Sequence, residues 1–363
     1  MRQVPRPPAR VLVRGVNWLG DAVMTLPAME AMRRLWPEAA FGVVAPEGLA
    51  PLWRMEPAVE SVEPFDPSGG FGRLVEDYRL ASRLRKARWE VAVVLPNSFH
   101  SALVPALGGI PRRVGFATDG RRWLLTDPVP KTEGLKASHQ VEQYMALTRA
   151  LGYTEPTPPV RLKVSDERRH WAEEALSGLQ DVEGRRPLVG VHPGATYGPA
   201  KRWFPERFAA VSDATARELD ARVLVFGGPG EAPWAGKLAS ALPGRVVDWT
   251  GRTDVAELAA LLSCLDLLVC NDSGPMHLAA AVGTPVVAVF GSSEPSQTGP
   301  VGEGHVLVRE PVECSPCFER ACPLTQDKYK CFEPLSAARV IEAVAENLSA
   351  RSAGAVRTLR GPS

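Results

Sequence analysis

The sequence lacks an excess of charge of either sign. Its 42 lysine and arginine residues nearly balance its 41 aspartate and glutamate residues, which leaves a formal net charge of +1 over 363 residues. A chain with so small a net charge has no global field that attracts a polyanion, so nucleic acid is not an expected partner.

A long apolar run is also missing. No stretch approaches the ~20 apolar residues that a membrane-spanning helix needs. The basic, proline-rich N-terminus is not followed by an apolar segment of the signal-peptide type. These absences predict a cytoplasmic protein without a transmembrane segment, which contacts a membrane at most peripherally.

Three familiar signatures of phosphate and metal binding do not occur. The turn NWLGDAV, Asn17 to Val23, contains one glycine instead of the G-x-G-x-x-G pattern that binds dinucleotides. No Walker lysine motif is present, and no Asp-x-Asp pair follows an apolar run to hold a divalent ion. Any bound phosphate must therefore be neutralised by side chains and backbone amides, and neither a cofactor nor a catalytic metal is expected.

Cysteine is scarce outside one loop-like stretch. The spacing within that stretch could close around a zinc ion or an iron–sulfur cluster, although it matches no standard zinc ribbon. Stable disulfides are not the first expectation in a reducing compartment. A structural metal knuckle, redox-sensitive disulfides and free thiols therefore all stay open for this group, which comprises Cys314, Cys317, Cys322 and Cys331.

Short apolar runs alternate with amphipathic helix patterns along both halves of the chain, which predicts parallel sheets covered by helices on both faces. The length favours two domains, and the proline-rich segment 154–164 is typical of a linker. We therefore expect an α/β protein with two doubly wound, Rossmann-like domains, residues 10–155 and 165–334, facing across a cleft. A helix over 335–350 is expected to pack back toward the first domain, followed by a polar tail over 351–363.

Asp21 follows Gly20 in the first strand-to-helix turn, where ligands of doubly wound sheets bind. Two interpretations stay open. Aspartate is a favoured N-cap residue, and a carboxylate facing the ligand crevice could also act as a general base.

Three further stretches lie at predicted strand ends in the second half. HPGATYGPAKRW, residues 192–203, offers the Thr196 hydroxyl, the Lys201 charge and free backbone amides to a phosphate-bearing ligand. It also reads as a solvated loop leading into a helix that starts near Pro205. The glycine-rich VFGGPGE ends in Glu231, which suits either a ribose diol or a helix dipole.

The third stretch, VCNDSGPMHLAAAVG, places caps and a glycine at a helix start, an arrangement that binds anions. Ordinary helix capping explains the same residues. Taken together, the three stretches supply a cation, a helix N-terminus and a ribose acceptor, which predicts a nucleotide diphosphate site in the second domain.

Four segments carry a resemblance to the ADP-heptose:lipopolysaccharide heptosyltransferase family. They are GDAVMTLPAMEAMRRLWP, LPNSFHSALVPALGGIPRRVGF, HPGATYGPAKRWFPERFA and NDSGPMHLAAAVGTPVVAVFG. The resemblance covers residues 10–345, and NSFHSALVP and GPAKRW look more like the heptosyltransferase II branch than heptosyltransferase I.

The resemblance implies a GT-B fold and an inverting, metal-independent transfer of L-glycero-D-manno-heptose from ADP-heptose to the first heptose of the lipopolysaccharide inner core. It implies that Asp21 is the catalytic base, that Lys201 stabilises the leaving diphosphate and that Glu231 binds the ribose. The remaining expected nucleotide contacts are Thr196, Asp272, Ser273, Gly274, Met276 and His277.

The implied acceptor is a Kdo-containing lipid A core at the inner-membrane surface. Its carboxylates could pair with arginines in the first domain, and a solvated basic surface explains the same residues, which are Arg112, Arg113, Arg121 and Arg122. Alternative functions are heptosyltransferase I or III with a different acceptor, a nucleotide-sugar-binding protein without transfer activity, and a metal-bound interaction module built on the cysteines.

Overall fold

The computed structural model describes residues 6–66, 73–179 and 186–359. The chain divides into two compact units, Met1–Lys163 and Val164–Ser363, and the boundary falls at the end of the proline-rich segment. Each unit is built on one six-stranded sheet with parallel pairing throughout.

The N-terminal unit has the strand order β3-β2-β1-β4-β5-β6. Its central strands are almost continuously apolar and buried because helices cover a parallel sheet on both faces. The strands are β1 Arg10–Arg14, β2 Ala40–Pro46, β3 Val59–Phe65, β4 Val91–Val94, β5 Arg112–Phe116 and β6 Asp127–Val129. The helices are α1 Leu19–Met24, α2 Leu26–Leu35, α3 Ala50–Arg54, α4 Arg73–Lys86, α5 Phe99–Leu107, α6 Glu133–Ala137 and α7 Gln140–Leu151.

The C-terminal unit repeats this topology with the order β12-β11-β10-β7-β8-β9. Its strands are β7 Leu188–His192, β8 Arg222–Val225, β9 Val246–Asp248, β10 Leu267–Asn271, β11 Val286–Val289 and β12 Val306–Val308. Its helices are α8 Asp166–Leu176, α9 Pro205–Glu218, α10 Ala232–Ala241, α11 Val255–Ser263, α12 Gly274–Ala281, α13 Pro295–Thr298 and α14 Ala337–Leu359. The α/β class with two doubly wound units is confirmed.

In both sheets the strand order reverses beside the first strand of the unit, between β1 and β4 and between β7 and β10. Ligands of doubly wound sheets bind outside the carboxyl ends of the strands at this reversal. Three of the four segments in which the sequence indicated chemistry follow β1, β7 and β10, and the fourth follows β8. The topology therefore places two of the three stretches predicted to bind a nucleotide side by side.

The last helix, α14, continues to Leu359 instead of ending at 350, so the residues expected to form a polar tail are helical up to that point. Residues 360–363 of the expected tail lie outside the described residues. The helix packs on α9 and on strands β10 to β12 of its own unit, where Val340 and Val344 are fully buried. Its expected return toward the first domain stays a prediction.

Within the described ranges, every helix is too short or too polar to cross a membrane.

Candidate functional site

A loop over residues 193–203, here called the Lys201 loop, follows β7 and closes with a short 3-10 turn, Pro199–Lys201. Both of its ends are tied to Asn271, the last residue of the neighbouring strand β10. The Asn271 amide nitrogen donates to the Pro193 carbonyl at 2.6 Å, and its carbonyl oxygen accepts from the Trp203 backbone N–H at 3.0 Å. Asn271 is fully buried, and its side chain fixes both ends of the loop.

Trp203 anchors the exit of the loop in the core. Its ring is almost fully buried and meets Phe208 edge to face, with the ring centroids 5.1 Å apart. Its indole N–H donates to the Leu335 carbonyl at 3.2 Å, which satisfies the polar end of an otherwise apolar side chain. Trp203 therefore packs the loop against the following helix.

Lys201 forms an ion pair with Asp272, the residue after β10. The Lys201 Nζ is 2.6 Å from Asp272 Oδ2, and the Ser293 hydroxyl donates to the same oxygen. The Asp272 side chain is 4% exposed and that of Lys201 is 16% exposed. Removing one partner of a buried pair costs ~3–5 kcal/mol because the other charge is left uncompensated. Asp272 therefore holds the Lys201 ammonium in place, and its own contact with a nucleotide stays a prediction.

The start of α12 lies next to this ion pair. Ser273 is its N-cap, and no side-chain cap bond satisfies the first backbone N–H groups of the helix. Such a helix start attracts anions through these N–H groups and the helix dipole. Met276 and His277 are buried in the unit, and their contact with a nucleotide stays a prediction.

His192, the last residue of β7, is a neighbour of this helix start to which the sequence analysis gave no role. Its Nδ1 shares a hydrogen bond with the Ser273 hydroxyl at 3.4 Å. Burial lowers the pKa of His192 from 6.5 to about 4, so the ring is neutral at pH 7. The signal that could have found it is a histidine that closes an apolar strand just before a glycine-containing loop.

Glu231 is the third part of the site. It ends the 3-10 turn Pro229–Glu231 and occupies the N-cap position of α10 without a side-chain cap bond. Its carboxylate lies against the Lys201 loop, since a Cβ on Gly194 would stand 2.7 Å from Glu231 Oε1. The fold therefore brings Lys201, the α12 start and Glu231 to one edge of the sheet, whereas Thr196 is an exposed residue of the loop.

In the N-terminal unit, Asp21 lies in the first turn of α1 and is half-exposed. The N-cap of that helix is Trp18, so the interpretation of Asp21 as an N-cap is wrong. Burial lowers the pKa of Lys131, and the Asp21 carboxylate acts on it in the opposite direction. Burial raises the pKa of the Tyr144 hydroxyl well above its ordinary value, reinforced by Asp21. Asp21 thus has a lysine and a tyrosine within electrostatic range, neither of which the sequence singled out.

The arginine surface expected in the N-terminal unit is corrected by the structure. Arg121 is fully buried and donates to the Phe116 carbonyl at 2.9 Å and to the Ser101 hydroxyl at 2.7 Å. Burial lowers its pKa to about 10. Its guanidinium therefore serves the fold of the unit and cannot meet an acceptor at the surface.

Two of the other three arginines are also engaged with the protein. Arg112 pairs with Asp127 at 3.4 Å, and Arg113 donates to the Leu124 carbonyl at 2.6 Å. Arg122 is exposed. Neither a four-arginine acceptor patch nor a solvated basic surface describes the group, because only Arg122 keeps a surface position of the expected kind.

Comparison with known proteins identifies the family. The model of glycosyltransferase family 9 (heptosyltransferase) matches residues 78–328. The chain belongs to this family. It is therefore a glycosyltransferase, as the resemblance implied.

Individual relatives agree with this assignment. The chain is 32% identical over 311 residues to lipopolysaccharide heptosyltransferase 2 of Escherichia coli, covering 83% of this chain and 88% of the relative. The solved E. coli ADP-heptose lipopolysaccharide heptosyltransferase II is 29% identical, with a TM-score of 0.79 over 94% of this chain and 99% of that one. A family 9 structure from Veillonella parvula is 25% identical, with a TM-score of 0.80 over 94% and 97% of the two chains. The expected GT-B fold class is confirmed.

The neutral state of His192 predicts a pH dependence. Folding depresses its pKa from 6.5 to about 4, so its contribution to the free energy of unfolding is complete above pH 6.5 and is lost as the pH falls toward 4. Linkage gives a loss of about 2 kcal/mol between pH 7 and pH 5. Urea unfolding at both pH values measures this loss of free energy, and His192→Gln, whose side chain does not titrate, is the comparison. Equal losses of stability in the two proteins would contradict the lowered pKa of His192.

Proposed function

We propose that this protein transfers L-glycero-D-manno-heptose from ADP-heptose to the first heptose of the lipopolysaccharide inner core. Relatives named lipopolysaccharide or lipooligosaccharide heptosyltransferase 2 support the proposal, with 29% to 32% identity. The observation that carries it is the grouping of Lys201, the α12 start and Glu231 at the carboxyl ends of three adjacent strands. These groups suit a diphosphate and a ribose.

In this proposal the C-terminal unit binds the donor. Lys201, already oriented by Asp272, neutralises the diphosphate, while the α12 backbone and Ser273 hydrogen-bond its oxygens. Gly274 lets the phosphate approach the helix backbone, Thr196 adds a hydroxyl, and Glu231 accepts from the ribose diol. Because fixed cationic and N–H groups stabilise the negative charge of the diphosphate, no divalent metal takes part in the proposed reaction.

The proposed chemistry is a single displacement. The Asp21 carboxylate takes the proton of the acceptor hydroxyl while the hydroxyl oxygen forms a bond to the anomeric carbon of heptose. The bond from that carbon to the β-phosphate oxygen breaks, ADP leaves and the anomeric configuration inverts. Negative charge grows on the diphosphate during this step, so groups preplaced around it lower the barrier.

The acceptor carries Kdo carboxylates, and the N-terminal unit supplies cations for them. Lys131, within electrostatic range of Asp21, and the exposed Arg122 are the residues we assign to this contact. Because the acceptor is an amphiphile anchored in the inner membrane, the reaction is proposed to occur at the cytoplasmic face of that membrane.

Product analysis tests the proposed reaction. With ADP-heptose, the protein is expected to extend a Kdo-lipid A acceptor that carries one heptose and to leave an acceptor without heptose unchanged, as measured by mass spectrometry. Transfer only to the acceptor without heptose would replace the proposal with heptosyltransferase I activity. Tight ADP-heptose binding without transfer to any core acceptor would favour a nucleotide-sugar-binding protein.

A pair of substitutions separates the proposed roles of the two units. Asp21→Asn is expected to lower kcat by ~10²–10⁴-fold, the usual contribution of a general base, and to leave the Kd of ADP unchanged. Lys201→Ala is expected to weaken ADP binding by ~10-fold or more, because a charge-assisted hydrogen bond is worth about 1.5–3 kcal/mol. Calorimetry and initial rates measure the two quantities.

Lys237→Ala, which removes an exposed lysine of α10, is the matched control and should change neither quantity. Since Lys201→Ala leaves Asp272 buried without its partner, circular dichroism and a melting curve must first show that the variant is folded. Near-normal turnover of Asp21→Asn, or an unchanged Kd of ADP in folded Lys201→Ala, would contradict the corresponding role.

A further inference from the structure

The segment over residues 314–331, here called the cysteine loop, brings its four thiols to one place. They line a single cavity with a volume of about 30 Å³, enough for one water-sized group. Cys331 is buried and the other three are half-buried, and none of the four forms a disulfide. The cysteines that the sequence grouped by spacing are therefore also grouped in space.

Ser292 supplies an independent observation at the same cavity. Its side chain is 2% exposed and lines the cavity, and its hydroxyl has no hydrogen-bond partner among the described residues. Buried hydroxyl groups almost always have a partner, so an unpartnered one calls for an explanation. A thiolate sulfur bound to a metal ion would accept its hydrogen bond. Another donor is already in place, because the Tyr329 backbone N–H donates to Cys322 Sγ at 3.4 Å.

The four thiols do not have to be ionised beforehand. A metal ion deprotonates the thiols that coordinate it, because the thiolate is the form that binds metal.

We propose that Cys314, Cys317, Cys322 and Cys331 bind one thiophilic metal ion, zinc or iron, in a tetrathiolate site. Four cysteine thiolates are a common ligand set for both metals. Within the described ranges, no three cysteine, histidine, aspartate or glutamate side chains already stand in a metal-binding arrangement. The proposal therefore requires the thiols to change their side-chain rotamers on binding. The site is structural, because these sulfurs leave no ligand position for a substrate.

The cysteine loop is joined to the Lys201 loop, which gives the metal a consequence. The Arg320 carbonyl accepts from the Ala200 N–H at 3.1 Å, and the Arg320 side chain donates to the Tyr197 carbonyl at 2.9 Å. Gly198 permits this approach, because any Cβ there would collide with the Arg320 carbonyl oxygen.

Tyr197, a residue to which the sequence assigned no role, completes the connection. Its hydroxyl donates to the Phe318 carbonyl at 3.0 Å, and Lys201 Nζ lies over its ring, 5.3 Å from the centroid. A fixed cysteine loop therefore holds the Tyr197 ring, over which the Lys201 ammonium lies, in position. The expected effect on ADP binding rests on the proposed function, whereas the metal site itself does not.

Metal content is the direct test. Protein purified under reducing, anaerobic conditions is expected to contain about one zinc or iron per chain by inductively coupled plasma mass spectrometry. Metal-free protein titrated with Co²⁺ alone should show thiolate-to-cobalt charge transfer and tetrahedral d–d bands that saturate at one equivalent. Protein that is metal-free as purified and gives no such bands with Co²⁺ overturns the proposal, as do two disulfides within the loop under these conditions.

Substitutions locate the metal and its consequence. Cys317→Ser and Cys322→Ser should each lose the metal and the cobalt bands, whereas Cys264→Ser, which alters a half-buried cysteine outside the loop, should keep both. Undiminished metal in the two loop variants overturns the site. Metal removal from the wild type by a chelator should weaken ADP binding several-fold, with recovery on adding zinc. An unchanged Kd of ADP alongside a confirmed metal would overturn only the connection to Lys201.

Discussion

The last residue of β10 and the one after it hold the proposed nucleotide site of this enzyme together. Asn271 ties both ends of the Lys201 loop to the sheet, and Asp272 fixes the Lys201 ammonium. Both side chains are buried, so neither can exchange its protein partners for water without cost. The position of the one lysine in the proposed nucleotide site thus depends on two consecutive side chains of a neighbouring strand.

This arrangement explains why the Lys201 loop has a defined conformation although it lacks regular secondary structure. A buried ion pair adds little net stability over an apolar pair, but it penalises every geometry in which one partner is missing. The Ser293 hydroxyl and the neutral His192 beside Ser273 supply further partners at the same strand ends. On the outer side, Tyr197 and Arg320 connect the loop to the cysteine loop. The Lys201 loop is therefore fixed by contacts with the sheet on one side and with the cysteine loop on the other.

The fold and the positions of the site segments could be predicted from the sequence, because apolar periodicity locates parallel strands and ligands bind at their carboxyl ends. The contacts of individual side chains could not be predicted, because they depend on tertiary packing. Arg121 looks like a surface cation in the sequence, yet it is buried and donates to the Phe116 carbonyl and the Ser101 hydroxyl. His192 and Lys131 carry no local motif, and their electrostatic environment arises only when distant segments meet. The spacing of the cysteines likewise left three chemistries open, and the cavity that the four residues share arises only from the fold.

A crystal structure of the protein with ADP tests the central claim most directly, namely that the prepaired Lys201 and the α12 start form the diphosphate site. The account predicts that the diphosphate oxygens accept hydrogen bonds from Lys201 Nζ and from backbone N–H groups at the start of α12. The Lys201–Asp272 pair should stay intact, and the ribose diol should contact Glu231. A diphosphate bound away from both Lys201 and α12, or bound only by residues of the N-terminal unit, would contradict it.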